Sequence, residues 1–241
     1  MSNAENTPRK TSAMSRLEGY DCPGGVDYEE LDNYVLAHID KEPELLQKLN
    51  RETYVKILRP RMLSGHLQGR ILKMFVRMIR PRRVLEIGTF TGYSALCIAE
   101  GLSDDGIVYT IDINDELEDF ARSFFEKSPF SNKIKYLLGD ALTIIPTINE
   151  TFDLVFIDAD KREYLQYYNT VFEKVCAGGF IIADNTLWDG KVIEKIDQND
   201  EQTIGVENFN DFVAQDERVE TVIVPLRDGM TILMKNVFER K

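Results

Sequence analysis

Two short apolar runs in the second half of the 241-residue chain end in clusters of oxygen-bearing side chains. The run 152–157 is followed by Asp158-Ala159-Asp160-Lys161, and the run 179–183 by Asp184-Asn185. As neighbouring parallel strands, the two would bring their ends within a few ångströms to about 10 Å of each other. Asp158, Asp184 and Asn185 can then converge as three oxygen ligands. Such a set suits Mg²⁺ or a similar hard divalent cation, whose other positions are left to water or substrate oxygens. Zinc is not indicated, since His38 and His66 stand alone and no Cys/His cluster exists. The bland alternative is that these are structural carboxylates.

A second constellation lies upstream, in V-L-E-I-G-T-F-T-G-Y at 84–93. Val84, Leu85 and Ile87 form an apolar run interrupted by Glu86, and Gly88 and Gly92 follow. From Tyr93 the spacing becomes helical, through Ser94, Ala95, Leu96, Ile98 and Ala99. Strand, glycine turn and helix open a nucleotide-binding α/β sheet, where backbone must approach a ligand closely. A dinucleotide site needs G-x-G-x-x-G for its pyrophosphate, whereas this loop reads E-x-G-x-x-x-G. A ligand without phosphate fits it better, and S-adenosylmethionine is the commonest of that kind. Asp112, twenty positions after Gly92, falls near the end of the next strand, where a carboxylate can accept from two ribose hydroxyls. Gly139-Asp140-Ala141 follows the third strand; the Ala141 N–H could meet adenine and Asp140 could cap the next helix.

These positions need a frame. Strands are expected at 84–87, 107–113, 134–138, 152–157 and 179–183, with helical patterns between them at 93–102, 115–126, 141–148 and 162–175. Alternation of this kind implies right-handed crossovers and a parallel sheet. The ending differs: a helix at 206–213 precedes apolar runs at 221–226 and 230–234, which flank Arg227-Asp228-Gly229, a hairpin signal. The expected fold is therefore α/β, a doubly wound Rossmann-like sheet of the class I methyltransferase type closing in an antiparallel hairpin. About eighty mostly helical residues precede it. Asp27 can cap a first helix, with Glu30 completing a capping box. A second helix is expected from near Pro43 to Arg59-Pro60, and Ser64 can cap a third that runs to Pro81. This helical cover could close over the mouth of a site. Residues 1–15 are polar and are expected to be a disordered tail or tag, leaving 16–241 as one domain.

Bulk properties narrow the class. Hydrophobic content of 43% and charged content of 29% are those of a water-soluble globular domain. A net charge of -12 argues against an extensive nucleic-acid surface. Cys22, Cys97 and Cys176 are odd in number and form no C-x-x-C; Cys97 and Cys176 are expected to be buried thiols in a reducing cytoplasm. No apolar run is long enough to span a membrane, and no signal-peptide core is present.

Taken together, E-I-G-T-F-T-G-Y-S (86–94), Y-T-I-D (109–112), G-D-A (139–141), I-D-A-D-K (157–161), A-D-N-T-L-W (183–188) and D-G-M-T (228–231) closely resemble the cation-dependent O-methyltransferases of the caffeoyl-CoA and catechol type. The resemblance runs from about Leu45 to the C-terminus. It implies that Glu86, Gly88, Ser94, Asp112, Ala141, Asp158 and Asp160 contact S-adenosylmethionine, with Met62 and Ser64 in a segment passing over cofactor and metal. It also implies that Asp158, Asp184 and Asn185 hold the metal, that Trp188 lies beside the substrate, and that the protein is a homodimer. Plant-type acyl-CoA contacts are not evident, which speaks against a CoA thioester acceptor.

Methyl transfer to oxygen is an in-line displacement that needs an ionised oxygen opposite the sulfur–carbon bond. A divalent cation would lower the pKa of a phenol and fix it through a neighbouring hydroxyl. By resemblance Lys161 is the general base, a better one with cations nearby; otherwise it is a surface lysine opening a helix. The leading expectation is an aromatic small molecule with vicinal hydroxyls as acceptor. A hydroxylated uridine in tRNA is the alternative, kept open by the basic run Arg59, Arg61, Arg70, Lys73, Arg77, Arg80, Arg82 and Arg83. A non-enzymatic binding module would not need Asp158, Asp184, Asn185 and Lys161 together.

Overall fold

The computed structural model describes residues 28–195 and 197–237. A seven-stranded sheet in the order β3-β2-β1-β4-β5-β7-β6 forms its centre. The strands are β1 (Arg83–Ile87), β2 (Ile107–Asp112), β3 (Ile134–Leu138), β4 (Phe152–Ile157), β5 (Val175–Asp184), β6 (Val219–Val224) and β7 (Met230–Lys235). The first five pair in parallel; β7 runs antiparallel between β5 and β6. The order reverses between β1 and β4, and a crevice opens there at the C-terminal strand ends.

Both faces of the sheet are covered, which is why the inner strands are continuously apolar. Strand alternation sends Leu85 and Ile87 to one face, where they pack with Tyr164, Tyr168, Val171 and Phe209. These come from α7 (Tyr164–Phe172) and α8 (Glu201–Gln215). Val84 and Phe156 go to the other face, against Leu72 and Val76 of α3 (Gly65–Ile79) and Ile98 of α4 (Tyr93–Gly101). All seven residues from Tyr93 to Ala99 are buried, and all but Ser94 are apolar or weakly polar, as suits a helix held between sheet and an outer helix layer. That outer layer includes α2 (Glu44–Lys56), whose Leu46 and Leu49 share a cluster with Tyr93 and Leu96.

The remaining helices are α1 (Tyr28–Ala37), α5 (Glu118–Phe125) and α6 (Ala141–Ile144). Several boundaries differ from the sequence expectation. The second helix stops at Lys56, because Ile57 turns extended and Arg59 is left-handed before Pro60 opens a 3₁₀ turn, Pro60–Met62. Residues 57–64 become a strap instead. Ser64 occupies the N-cap position of α3 without its hydroxyl making the capping bond. The final helix begins at Glu201, five residues early, because Asp200 caps it by accepting from the Thr203 N–H and hydroxyl. The hairpin is not a tight Asp-Gly turn. Its strands end at Val224 and resume at Met230, Pro225 having no N–H to continue the ladder. β5 begins at Val175, but its register with β4 is broken until Phe180. Cys97 is buried, whereas Cys176 is only partly so. The proposed Asp27 cap and Cys22 lie outside the described residues. No helix among the described residues is long and apolar enough to cross a membrane.

Candidate active site

A cleft of about 1330 Å³ lies over the C-terminal strand ends at the switch point. Gly88 builds its floor. Its N–H donates to the Ile111 carbonyl (2.9 Å), and the Asp158 N–H donates back to the Ile87 carbonyl (2.8 Å). The Gly88 φ is +101°, and a Cβ there would stand 2.0 Å from the Asp158 carbonyl oxygen. Only glycine lets the loop after β1 lie this close to β4. The neighbouring helix pins the loop from above, where the Thr53 hydroxyl of α2 donates to that of Thr91 (3.2 Å).

Every site residue singled out from sequence lines this cleft except Glu86. The exception follows from strand alternation: Glu86 shares a face with Val84, beneath α4, and pairs in register with Thr110. It is fully buried and accepts a hydrogen bond from the Thr110 hydroxyl (2.5 Å), while its Oε1 has no hydrogen-bond partner among the described residues. Burial pushes its carboxyl up to about 8, against the opposing pull of the Ser94 and Thr110 hydroxyls. Asp112 does line the cleft. It accepts from the Phe90 N–H (2.6 Å) and the Asn114 N–H (2.9 Å), so one carboxylate ties the glycine loop to the end of β2. Ala141 opens α6, and Asp140 caps that helix through the Leu142 N–H (3.0 Å) as expected.

Lys161 is the most constrained residue of the site, only 5% exposed. Its Nζ donates to Asp158 Oδ1 (3.0 Å) and to the Tyr164 hydroxyl, and lies 5.9 Å from the centre of the Trp188 ring. Tyr164, buried one turn on, donates to the Asp184 carbonyl (2.9 Å). The backbone here is held by α8. Gln202 Oε1 accepts from the Lys161 N–H (3.1 Å), and a Cβ on Gly205 would stand 2.3 Å from the Lys161 carbonyl. Asp160 turns away into a fork with Arg162, whose side chain holds its carboxyl below the usual range, and also accepts from Gln202 (3.1 Å).

Asp184 is 4% exposed and accepts from Gln68 Nε2 at Oδ2 (2.6 Å). Burial, and next the Asp158 charge, push it up to about 6. After β5 the chain takes left-handed conformations at Asn185, Trp188 and Asp189, an accumulation of strain typical of functional turns. It is fastened by Thr186, whose hydroxyl accepts from Thr231 (2.8 Å) and whose carbonyl accepts from Asn210 (2.7 Å). The Leu187 N–H donates to the Asp228 carbonyl (2.7 Å), so the D-G of the hairpin serves to seat the Trp188 turn.

The donor set fits a hard cation. Asp158 Oδ2, Asp184 Oδ1 and the Asn185 side chain receive no hydrogen bond from the described residues. Asp184 is buried and Asp158 half-buried, and the repulsion between their charges would be relieved by a cation between them. Among the described residues no three His, Cys, Asp or Glu side chains form a metal site, so any such site here relies on the amide of Asn185. Gln68, Tyr164, Gln202 and Arg227 are members of the site that the sequence did not disclose. Only Tyr164 carried a signal, its helical i, i+3 spacing from Lys161.

The basic run does not form one surface. Arg70 and Lys73 both bind Glu100 (2.8 and 2.5 Å), Arg82 faces Asp105 (3.4 Å) and Arg83 faces Glu150 (3.3 Å). Of the eight, only Arg59 and Arg61 line the cleft.

The chain is similar to known methyltransferases over most of its length. A family model described as O-methyltransferase matches residues 37–236. Caffeoyl-CoA O-methyltransferase 5 of Nicotiana tabacum is 34% identical over 205 residues, covering 80% of this chain and 84% of the relative. The crystal structure of O-methyltransferase TomG from Streptomyces achromogenes, involved in tomaymycin synthesis and in complex with SAM, superposes with a TM-score of 0.80 at 28% identity, covering 86% of this chain and 96% of that one. The O-methyltransferase from Bacillus cereus in complex with SAH gives a TM-score of 0.80 at 28% identity, covering 86% and 97%. The chain thus belongs to the family of S-adenosylmethionine-dependent O-methyltransferases of the caffeoyl-CoA type.

Proposed function

We propose that this protein transfers the methyl group of S-adenosylmethionine to one oxygen of an aromatic small molecule bearing two neighbouring hydroxyls, with a divalent cation held by Asp158, Asp184 and Asn185. The observation that carries the reading is the juxtaposition in one cleft of Lys161, both carboxylates and the glycine loop. The relatives' names support it, since a caffeoyl group carries two adjacent phenolic hydroxyls.

The chain's own groups divide the work. Gly88, Ser94, Asp112, Ala141 and Asp160 form the cofactor half of the cleft, with Met62 and Ser64 of the strap across it. Asp112 accepts from ribose, and the Ala141 N–H, the first of its helix, is free for the adenine edge. Trp188 gives the acceptor ring a flat wall beside Lys161. When bound, a divalent cation supplies Lewis acidity that lowers a phenol pKa of about 10 towards neutrality. Lys161 takes the acceptor's proton, held at Nζ by Asp158 and Tyr164. The oxygen–methyl bond forms as the sulfur–methyl bond breaks, and the sulfonium becomes a neutral thioether.

The tRNA reading draws less support, because four of the eight basic residues, Arg70, Lys73, Arg82 and Arg83, are engaged with Glu100, Asp105 and Glu150 away from the cleft. A transfer assay with labelled S-adenosylmethionine against catechols, flavonoids and bulk tRNA tests both. Labelling of catechols supports the proposal; labelling of tRNA alone would replace it.

A further inference from the structure

Three segments far apart in sequence meet at one buried amide. Gln68, 1% exposed, donates from Nε2 to Asp184 Oδ2 (2.6 Å) and accepts at Oε1 from Arg227 Nη1 (2.7 Å). The same guanidinium nitrogen donates to the Ser64 carbonyl, at the end of the strap. An amide is the side chain that can do this: it gives a proton to a carboxylate at one end and takes one from a guanidinium at the other. Glutamate would repel Asp184, and lysine would repel Arg227.

Arg227 is held in an unusual way. Its φ is +51°, left-handed backbone in which glycine is favoured and a long side chain is strained. Hairpin formation does not require arginine there. The residues beside it seat the Trp188 turn through the Asp228 and Gly229 carbonyls, which accept from Leu187 (2.7 Å) and Thr186 (3.1 Å). Strain is therefore tolerated at a loop position from which the guanidinium reaches both the strap and Gln68.

We propose that Arg227 and Gln68 are positioning residues: Gln68 sets the Asp184 carboxylate for the divalent cation, and Arg227 ties the strap to that setting, so that cation and cofactor bind cooperatively. The inference rests on the cation assignment made above. With Asp184 oriented, Gln68 presents its oxygen to Arg227, and Arg227 holds the Ser64 end of the segment that covers the cofactor half. Ordering either end lowers the free energy needed to order the other.

The test is binding, without acceptor and therefore without turnover. Mn²⁺ is titrated calorimetrically into the full chain with and without saturating S-adenosylmethionine. In the unaltered protein the cofactor should tighten Mn²⁺ binding about tenfold, and Mn²⁺ should tighten cofactor binding by the same factor. Arg227→Gly suits the backbone and removes the guanidinium together with its aliphatic stem. It should reduce that factor to about twofold or less while Mn²⁺ affinity without cofactor changes little. Gln68→Leu should weaken Mn²⁺ about 10- to 100-fold with or without cofactor. Gln68→Asn, which keeps the amide but shortens its reach, serves if the leucine variant does not fold, and should weaken Mn²⁺ in the same direction. A wild-type coupling factor in Arg227→Gly, or wild-type Mn²⁺ affinity in the Gln68 variants, would overturn the proposal. An unaltered protein that binds no Mn²⁺ at all would instead remove the cation assignment, and the inference with it.

Discussion

Lys161 and Asp158 face each other across the turn that closes β4, with Nζ 3.0 Å from Oδ1. The lysine is thereby fixed at the end of one central strand, and through the Tyr164 hydroxyl it is linked to the carbonyl of Asp184 at the end of the next. A surface lysine opening a helix would have neither contact. Lys161→Ala should therefore lower kcat about 10²- to 10⁴-fold while leaving the cofactor's Kd within about threefold. Steady-state kinetics and calorimetry on the same preparation check this.

Tyr164→Phe separates positioning from proton transfer. The hydroxyl is buried, accepts from the Lys161 amine and donates to a carbonyl, so its loss should destabilise the fold by about 1–3 kcal/mol. Activity should fall less than in Lys161→Ala. A denaturant titration beside the rate measurement distinguishes the two effects.

Asp112 joins the glycine loop to β2 and faces the cofactor half of the cleft. Asp112→Ala should weaken S-adenosylmethionine about 10- to 100-fold, as expected for losing hydrogen bonds to a charged acceptor. NAD should give no heat at any concentration tested, because the loop lacks the pyrophosphate pattern.

Glu86 gives a pH signature without any ligand. Its carboxyl is raised from 4.5 to about 8 by burial. The folded state therefore binds more protons than the unfolded state in that window, and the stabilisation present below pH 4.5 is lost as pH rises towards 8. The linked change is on the order of a few kcal/mol. Glu86→Gln should flatten the slope and be the more stable protein at pH 8. Chemical denaturation of the cofactor-free protein at pH 5, 6.5 and 8 would show it; parallel slopes for the two proteins would contradict it.

Much of this was legible in local pattern. The strand ends carrying Asp112, Asp158 and Asp184 are marked by apolar runs that stop at acidic residues, and parallel alternation then brings those ends together. Resemblance places Glu86 with the cofactor; period-two alternation puts it behind the cleft wall, beside Ser94 and Thr110, rather than in the lining. Gln68 and Arg227 were hidden for a different reason. Their roles depend on contacts 116 and 159 residues apart in sequence, which no local spacing encodes. Resemblance places Met62 and Ser64 in a segment over the site, but the start of the strap was hidden, since Ile57 continues the apolar helical pattern although the helix stops at Lys56. The basic run illustrates the converse. It reads as one patch in sequence, yet Arg70, Lys73, Arg82 and Arg83 are divided among separate acidic partners once α3 and β1 are in place, while Arg59 and Arg61 line the cleft.

The central claim is that one cation grips two neighbouring acceptor oxygens between Asp158, Asp184 and Asn185 while Lys161 takes the proton. A vicinal diol then gains both orientation and a lowered pKa, whereas a lone phenol offers one oxygen. The direct measurement is kcat/KM for a catechol and for the same ring lacking one hydroxyl, each with Mg²⁺ and after exhaustive chelation. The account predicts transfer to the catechol at least about 100-fold faster with Mg²⁺, a loss on chelation, and recovery when Mg²⁺ or Mn²⁺ is returned. Equal rates for the two rings, or full activity after chelation, would contradict it.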